Sequence, residues 1–339
     1  MAIKGKLENK NYKTFLLDYA IYFVLFVMLA VIIIKEPTFI SLRNFKNILT
    51  QSSVRSIIAL GVAGLIITQG TDLSAGRQVG FAAVISATLL QSDSAPNKAL
   101  KNLGEFSILG AIIVIVLVGM VIGIINGFIV SKFNVHPFIV TLGMMTIIYG
   151  VNSLYYDEVG ASPISSFSKK YVNFAQGSFD IGNFSIPYLI IYAAIAVTIM
   201  WVLWNKTKFG KDLFAVGGNP EAARVSGVNV LFTFVKVYAL SGMFYAFGGF
   251  LEAGRIGSAT NNLGNMYEMD AIAGCVIGGV SFYGGVGTVR GVITGVIMLT
   301  IINYGLTYVG VKPYWQYIIK GAIIVAAVAF DAMKYSKKK

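Results

Sequence analysis

Residues 107–130 read SILGAIIVIVLVGMVIGIINGFIV, without one charged side chain. Crossing about 30 Å of hydrocarbon takes about 20 apolar residues in a helix, and this run has enough. In lipid a chain must satisfy its own backbone hydrogen bonds, which a helix does within a single segment. Similar apolar runs cover 16–34, 48–69, 75–91, 137–154, 187–204, 231–251, 269–282, 289–309 and 313–330. The predicted fold class is therefore an all-α membrane protein with about ten transmembrane helices. The 269–282 run is short for the thickness it must cross, so its borders are soft. Composition agrees: 56% of the 339 residues are hydrophobic and 12% charged, against about a quarter charged in soluble domains.

The first run follows a basic stretch but is long and lacks a small-residue cleavage site after it, so it reads as a retained anchor. No linker divides the chain. The expected organisation is a tail over 1–15, one polytopic domain over 16–330 with a polar loop over 205–230, and a basic tail over 331–339.

Ten crossings place both ends on one side, and the basic residues say which. Lys4, Lys6, Lys10 and Lys13 precede the first run, Lys206, Lys208, Lys211 and Arg224 lie in the 205–230 loop, and Lys334, Lys337, Lys338 and Lys339 close the chain. Positive residues stay cytoplasmic, so both termini and that loop are expected in the cytoplasm. The net charge of +12 thus serves orientation, and no nucleic-acid partner is expected. The outer 155–186 connection, rich in Ser, Gly, Phe and Tyr, is expected to lie along the membrane interface.

A lone Cys275 excludes an intrachain disulfide and a cysteine metal cluster, and His136 is the only histidine, which removes most zinc and Ser-His chemistry. There is no phosphate-binding G-x-x-x-x-G-K-[ST] motif, so no ATP, metal or other cofactor is expected on this chain. An intramembrane enzyme would lack its acid, base and nucleophile. An ion-coupled carrier normally uses carboxylates within the membrane; here Asp72, Glu252, Glu268 and Asp270 lie near the ends of apolar runs.

Gly119, Gly123 and Gly127 form a ladder that lets helices approach closely. Two loops, TQGTDLSAGRQVG (68–80) and GGVSFYGGVGTVRG (278–291), interrupt apolar runs with glycine and polar residues. Each is either a tight turn at the inner surface or a broken helix beside a transport path; in the first, Gly70, Asp72, Ser74 and Gly76 are candidate path residues, with Asp72 or Ser74 capping the next helix. Lys320 lies within the last run, where it either snorkels outward or meets a partner such as Asp270 or Asn303. Arg55 either reaches the outer interface or supports a buried network.

Among these runs, GGNPEAARVSGVN (217–229) specifies a short polar helix. Asn219 is a good N-cap, Pro220 suits the first helical position, Glu221 favours the positive helix end, and Gly227 supplies a left-handed stop. With Ala222 and Ala223 on its surface and no core of its own, such a helix either needs a partner or is only a surface turn.

Glu221-Ala222-Ala223, three residues and Gly227 resemble the EAA---G signature of membrane subunits of binding-protein-dependent ABC importers. The surrounding WNKTKFGKDLFAVGGNPEAARVSGVNV is similar to the sugar-permease branch with the ribose, xylose and arabinose systems. ILTQSSVRSIIALGVAGLIITQGTDLSAGRQVG, LYYDEVGASPIS, LEAGRIGSATNNLG and INYGLTYVGVKPYWQYIIKGAII resemble the galactose/methyl-galactoside permeases. The resemblance implies a permease fold like that of the vitamin B12 importer and a homodimer in the bacterial inner membrane. It also implies a periplasmic galactose/glucose-binding protein and a cytoplasmic ATPase with two fused cassettes, which uses ATP and Mg. Asn219, Pro220, Glu221, Ala222, Ala223, Arg224 and Gly227 would form its ATPase-coupling helix. Another monosaccharide such as a pentose, or an ion-coupled secondary sugar carrier, are the alternative readings.

Overall fold

A computed structural model describes residues 23–182 and 184–335. The 1–15 tail, the start of the first apolar run and the end of the basic tail lie outside the described residues. Seven described helices are long and apolar enough to cross a membrane: α2 (Leu42–Ile67), α4 (Ile108–Phe133), α5 (Pro137–Glu158), α7 (Tyr188–Lys206), α10 (Val230–Ile256), α12 (Val289–Tyr308) and α13 (Pro313–Tyr335). The other three apolar runs fall on shorter helices, α1 (Phe23–Lys35), α3 (Ala75–Leu89) and α11 (Tyr267–Ile277). α13 continues past the 330 boundary drawn for its apolar run.

From Ser52 onward α2 is buried on nearly every side, as a helix apolar all round must be when it is a bundle's axis. α10 packs across it: the Ser241 hydroxyl donates to the Gly61 carbonyl at 2.8 Å. The Cys275 thiol of α11 donates to the Ala59 carbonyl at 3.3 Å. The glycine ladder of α4 faces α10 so closely that a Cβ at Gly123 would run into the Tyr238 carbonyl, and one at Gly119 into that of Gly242. The opposite face of α4 leaves Leu109, Ile113, Leu117 and Val121 exposed. Small residues inward and large apolar residues outward are what helix association in lipid selects.

Polar connections gather at the two ends of this bundle. At one end Gln91 bridges Phe167 and Ile164 bridges Ala259, beside α6 (Lys169–Gln176) and an antiparallel hairpin of β1 (Ser178–Ile181) and β2 (Phe184–Pro187). This corrects the expectation for 155–186. Phe167 and Tyr171 are buried, and the Tyr171 hydroxyl donates to the Phe250 carbonyl, so these rings fill the protein rather than sit among headgroups. The Ser168 hydroxyl caps α6, an order that the loop-like composition conceals.

At the other end lie the 68–74 turn, the 134–136 turn, the 278–288 loop and two short helices. The 205–230 segment, expected as a loop with one small helix, carries α8 (Lys208–Gly218) and α9 (Pro220–Val225). α8 is amphipathic and buries Gly210, Leu213, Val216 and Gly217, so the polar segment does have an apolar floor.

The α4–α10 crossing yields a test. In an exposed helix Gly→Ala gains up to about 1 kcal/mol, and Gly143 has open space around a Cβ. Gly143→Ala should leave the thermal unfolding midpoint of the detergent-purified protein unchanged or raised, whereas Gly123→Ala should lower it, through an overpacking cost of about 1–3 kcal/mol. Equal effects would remove the close crossing.

Candidate functional site

The α9 helix is built as the residues dictate. The Asn219 side chain accepts from the Ala222 N–H at 3.0 Å, and Pro220 occupies the first position. Ser226 is the C-cap, and Gly227, at φ +84°, lets the Val228 N–H turn back onto the Ala223 carbonyl. The Glu221–Arg224 pair, 3.2 Å apart across one turn, is solvent-exposed, so its contribution is about 0.2–0.5 kcal/mol.

One expectation is corrected here. Ala222 is exposed, but Ala223 is only 4% exposed. The reason is that Ala223 lies on the inner side of α9, which packs against α8 and α10. The missed residue is Val225, at 90% exposure the most uncovered large apolar side chain described at this end. An apolar residue between Arg224 and Ser226, on a helix too short to hide it, was the available signal. Together Glu221, Ala222, Arg224 and Val225 form the outward face.

Behind α9 the backbone is knotted to the bundle by one side chain. Gln69, at the end of α2, donates from its amide to the Gly217 carbonyl at 2.8 Å and the Tyr283 carbonyl at 3.1 Å. The Gly285 N–H donates to the Ile67 carbonyl at 2.8 Å. A Cβ at Gly217 would collide with the Ile67 carbonyl, so only glycine permits this approach. Gln69 itself is at φ +60°, a left-handed conformation that costs a non-glycine residue about 1 kcal/mol or more. The 278–288 loop is in turn tied to α13, since Asp331 accepts from the Phe282 N–H at 3.1 Å and the Ser281 hydroxyl at 3.0 Å. Thus α2, α8, the 278–288 loop and α13 meet within a few residues of α9. A groove of about 770 Å³, lined by Gln69, Asn134, His136, Glu221, Arg224 and Val228 among others, runs beside it.

The other sequence-derived candidates separate into two places. Gly70, Asp72, Ser74 and Gly76 lie on the turn into α3. Asp72 Oδ1 accepts from the Ser74 N–H at 2.8 Å and from its hydroxyl. Ser74 occupies the N-cap position of α3 without capping it through its side chain; instead its oxygen accepts from Gln78 and Asn126 at 3.0 and 3.2 Å. Asp72, Ser74, Gln78 and Asn126 are all buried, so this turn is internal rather than a surface bend. Gly76 packs against Glu268 and the Gly264 carbonyl, joining α3 to the start of α11.

Lys320 and Asn303 belong to the second place. Lys320 Nζ lies 2.9 Å from Asp270 Oδ1, and Arg55 Nη1 lies 2.7 Å from Asp270 Oδ2. Of the two partners considered for Lys320, Asp270 is the one engaged, and Arg55 joins a network rather than the outer interface. Asn303 forms no side-chain bond to either: both its amide atoms are buried without a partner among the described residues. The Arg55 guanidinium also lies 5.6 Å over the Tyr267 ring, whose hydroxyl donates to Glu252 at 2.6 Å.

Residues 44–328 match the family model described as branched-chain amino acid transport system / permease component. The chain is 65% identical over 333 residues to the galactose/methyl galactoside import permease protein MglC of Escherichia coli, covering 98% of this chain and 99% of that one. It is 64% identical over 332 residues to the Haemophilus influenzae protein of the same name, covering 98% of each. The ribose import permease protein RbsC of Escherichia coli is 33% identical over 324 residues, covering 95% of this chain and 96% of the other. No solved structure matches the chain.

Burial separates two neighbouring substitutions. Ala223→Glu places a carboxylate against the α8 floor and should reduce the folded protein recovered from membranes, by a destabilisation of about 3 kcal/mol. Val225→Glu faces solvent and should be recovered at the unsubstituted level with an unchanged unfolding midpoint.

Proposed function

The chain belongs to the permease-component family of transport systems matched over residues 44–328, and on that premise we propose that it is the membrane subunit through which an ATP-driven importer passes galactose and methyl galactoside, with glucose as a further substrate. The observation that carries the reading is the 65% identity, end to end, with a galactose/methyl galactoside import permease, joined to an outward-facing α9. The lower identity to the ribose permease, 33%, favours a galactoside over a pentose.

In this reading all ten apolar helices cross the bacterial inner membrane, in an arrangement like that of the vitamin B12 importer. Both termini and the α9 end are cytoplasmic, which the basic residues near α8 and α9 support. Two copies of the chain enclose the path. A periplasmic galactose/glucose-binding protein delivers sugar at the hairpin end, and a cytoplasmic ATPase with two fused cassettes docks on α9. ATP and Mg act in that partner, and this chain holds no cofactor. A sugar hydroxyl stripped of water in hydrocarbon costs about 4–8 kcal/mol if left bare, so a polar path between copies removes the barrier to crossing.

The geometry suits transmission. Val225 and its neighbours offer the partner an apolar and charged face, while the single residue Asn219 joins α9 directly to α8 and the Val228–Ala223 turn ties its other end toward α10. Displacement of α8 reaches α2 through Gln69 and the Gly217–Ile67 contact, and reaches α13 through the 278–288 loop and Asp331. A helix is stiff along its length, and α2, with 26 residues, spans about 39 Å. A push at one end therefore arrives in the middle of the membrane.

In proteoliposomes holding the permease, ATPase and binding protein, labelled galactose should accumulate only with ATP and all three components. Uptake by the permease alone on an ion gradient would establish a secondary carrier instead. Val225→Glu should lower sugar-stimulated ATP hydrolysis and uptake roughly tenfold or more, as loss of a central apolar anchor costs about 2 kcal/mol; full activity would dismiss α9 as the docking element. Gln69→Gly relieves the left-handed strain yet breaks the bridge, so it should preserve the unfolding midpoint while reducing sugar transported per ATP.

A further inference from the structure

The Arg55–Asp270–Lys320 cluster lies where the first turn of the short helix α11, which carries Asp270, meets the middle of two longer helices. Arg55 is near the middle of α2, and the cleft beside it is lined by Val296, Leu299 and Thr300 from the middle of α12. Its charges do not cancel: among the described residues Asp270 is the one carboxylate paired with both Arg55 and Lys320, and the Glu252 charge that also acts on Arg55 is already paired with Arg255. The nearby acids are occupied elsewhere. Glu252 receives two bonds of 2.8 Å from Arg255 as well as the Tyr267 hydroxyl, Glu268 faces the charge of Arg77, and buried Asp72 is bound by Ser74.

Nor is the cluster covered. The side chains of Arg55 and Lys320 are 23% and 20% exposed, those of Asp270 and Glu252 12% and 3%. The uncovered part of the network is thus its positive part. A cation at this depth does not face acyl chains; it faces a water-filled cavity or another polar surface. The same side of α12 continues, at helical spacing of three and four residues, from Leu299 and Thr300 to Asn303, whose buried amide has no partner among the described residues and can both donate to and accept from a hydroxyl.

We propose that the Arg55–Asp270–Lys320 face borders the sugar path at mid-membrane and that its surplus positive charge keeps protons and metal cations out while neutral sugar passes. This rests on the permease reading. A fixed positive charge in a narrow polar passage acts on charge alone: it repels a cation and leaves an uncharged polyol unaffected. Asn303 supplies the complementary half, a neutral amide that exchanges hydrogen bonds with sugar hydroxyls as they shed water. An importer opening its path at every turnover needs such a filter, because each opening otherwise leaks the ion gradients of the membrane.

The test uses the complete reconstituted complex and counts labelled sodium, protons and chloride entering per galactose during ATP-driven turnover. The unsubstituted complex should admit sugar without cations. Lys320→Met should raise sodium and proton entry per sugar by about tenfold or more, the effect of one unit charge at 8–10 Å through an effective dielectric of about 20, with chloride unchanged; Lys320→Arg should remain tight. Asn303→Asp, which adds a negative charge while leaving the ion pairs in place, should also admit cations and serves if Lys320→Met does not assemble. Cation entry unchanged in transporting variants overturns the proposal, as does equal entry of sodium and chloride, which marks a loosened structure. Failure of the unsubstituted complex to take up galactose removes the permease reading, and this inference with it.

Discussion

The Gln69 amide reaches two carbonyl oxygens, of Gly217 and Tyr283, from a backbone conformation that most side chains avoid. Without it, the end of α2 would keep its Ile67 bond to the Gly285 N–H but lose its hydrogen bond to α8 and its second tie to the 278–288 loop. Gly217 contributes by having no side chain, since its main chain lies where a methyl group would overlap the Ile67 carbonyl. At Gly217 and Ile67 the result is main chain against main chain, a contact with little slack beside the Gln69 bridge. Small inputs at such packed contacts are carried onward as rigid shifts rather than lost as local rotamer changes.

From that joint the rest of the architecture has a common logic. The centre of the bundle is held by close approach of small residues: Gly61 beneath Ser241, and Gly119 and Gly123 against α10. The periphery is left apolar, with α4, α5 and α7 presenting large side chains outward. Two internal polar places stand out, the buried Asp72–Ser74–Gln78–Asn126 cluster and the Arg55–Asp270–Lys320 network. Both sit where a short helix, α3 or α11, begins beside a longer one, which is where irregular backbone within lipid can be covered by protein.

What was legible in the chain follows from how local each signal is. Apolar runs announce helices because bilayer thickness dictates their length, and α4 emerges close to where its residues place it. The α9 cap was legible because Asn219, Pro220 and Gly227 act on backbone groups only a few residues away. Ala223 was misread as surface because its burial depends on α8, and α8 needs Leu213 and Val216 to fold down against helices distant in sequence. Gln69 was overlooked for a similar reason: nothing near it in the chain discloses that the Gly217 and Tyr283 carbonyls will arrive there. In the 155–186 connection, Phe167 and Tyr171 looked like interfacial aromatics because composition cannot distinguish a ring among headgroups from one buried beside the bridge to Gln91. Lys320 was legible as a group in need of company, and Asp270 could be named because both sit near the same end of their runs.

The sulfur in α11 has a use of another kind. Cys275 is the only cysteine of the chain and is buried, its thiol turned to the Ala59 carbonyl. The native surface therefore presents no sulfhydryl to a water-soluble maleimide. One thiol introduced at any exposed position becomes a solitary reporter against a silent background. Whether reagent added to intact cells or to everted vesicles reaches it then tells, position by position, which compartment that part of the molecule sees.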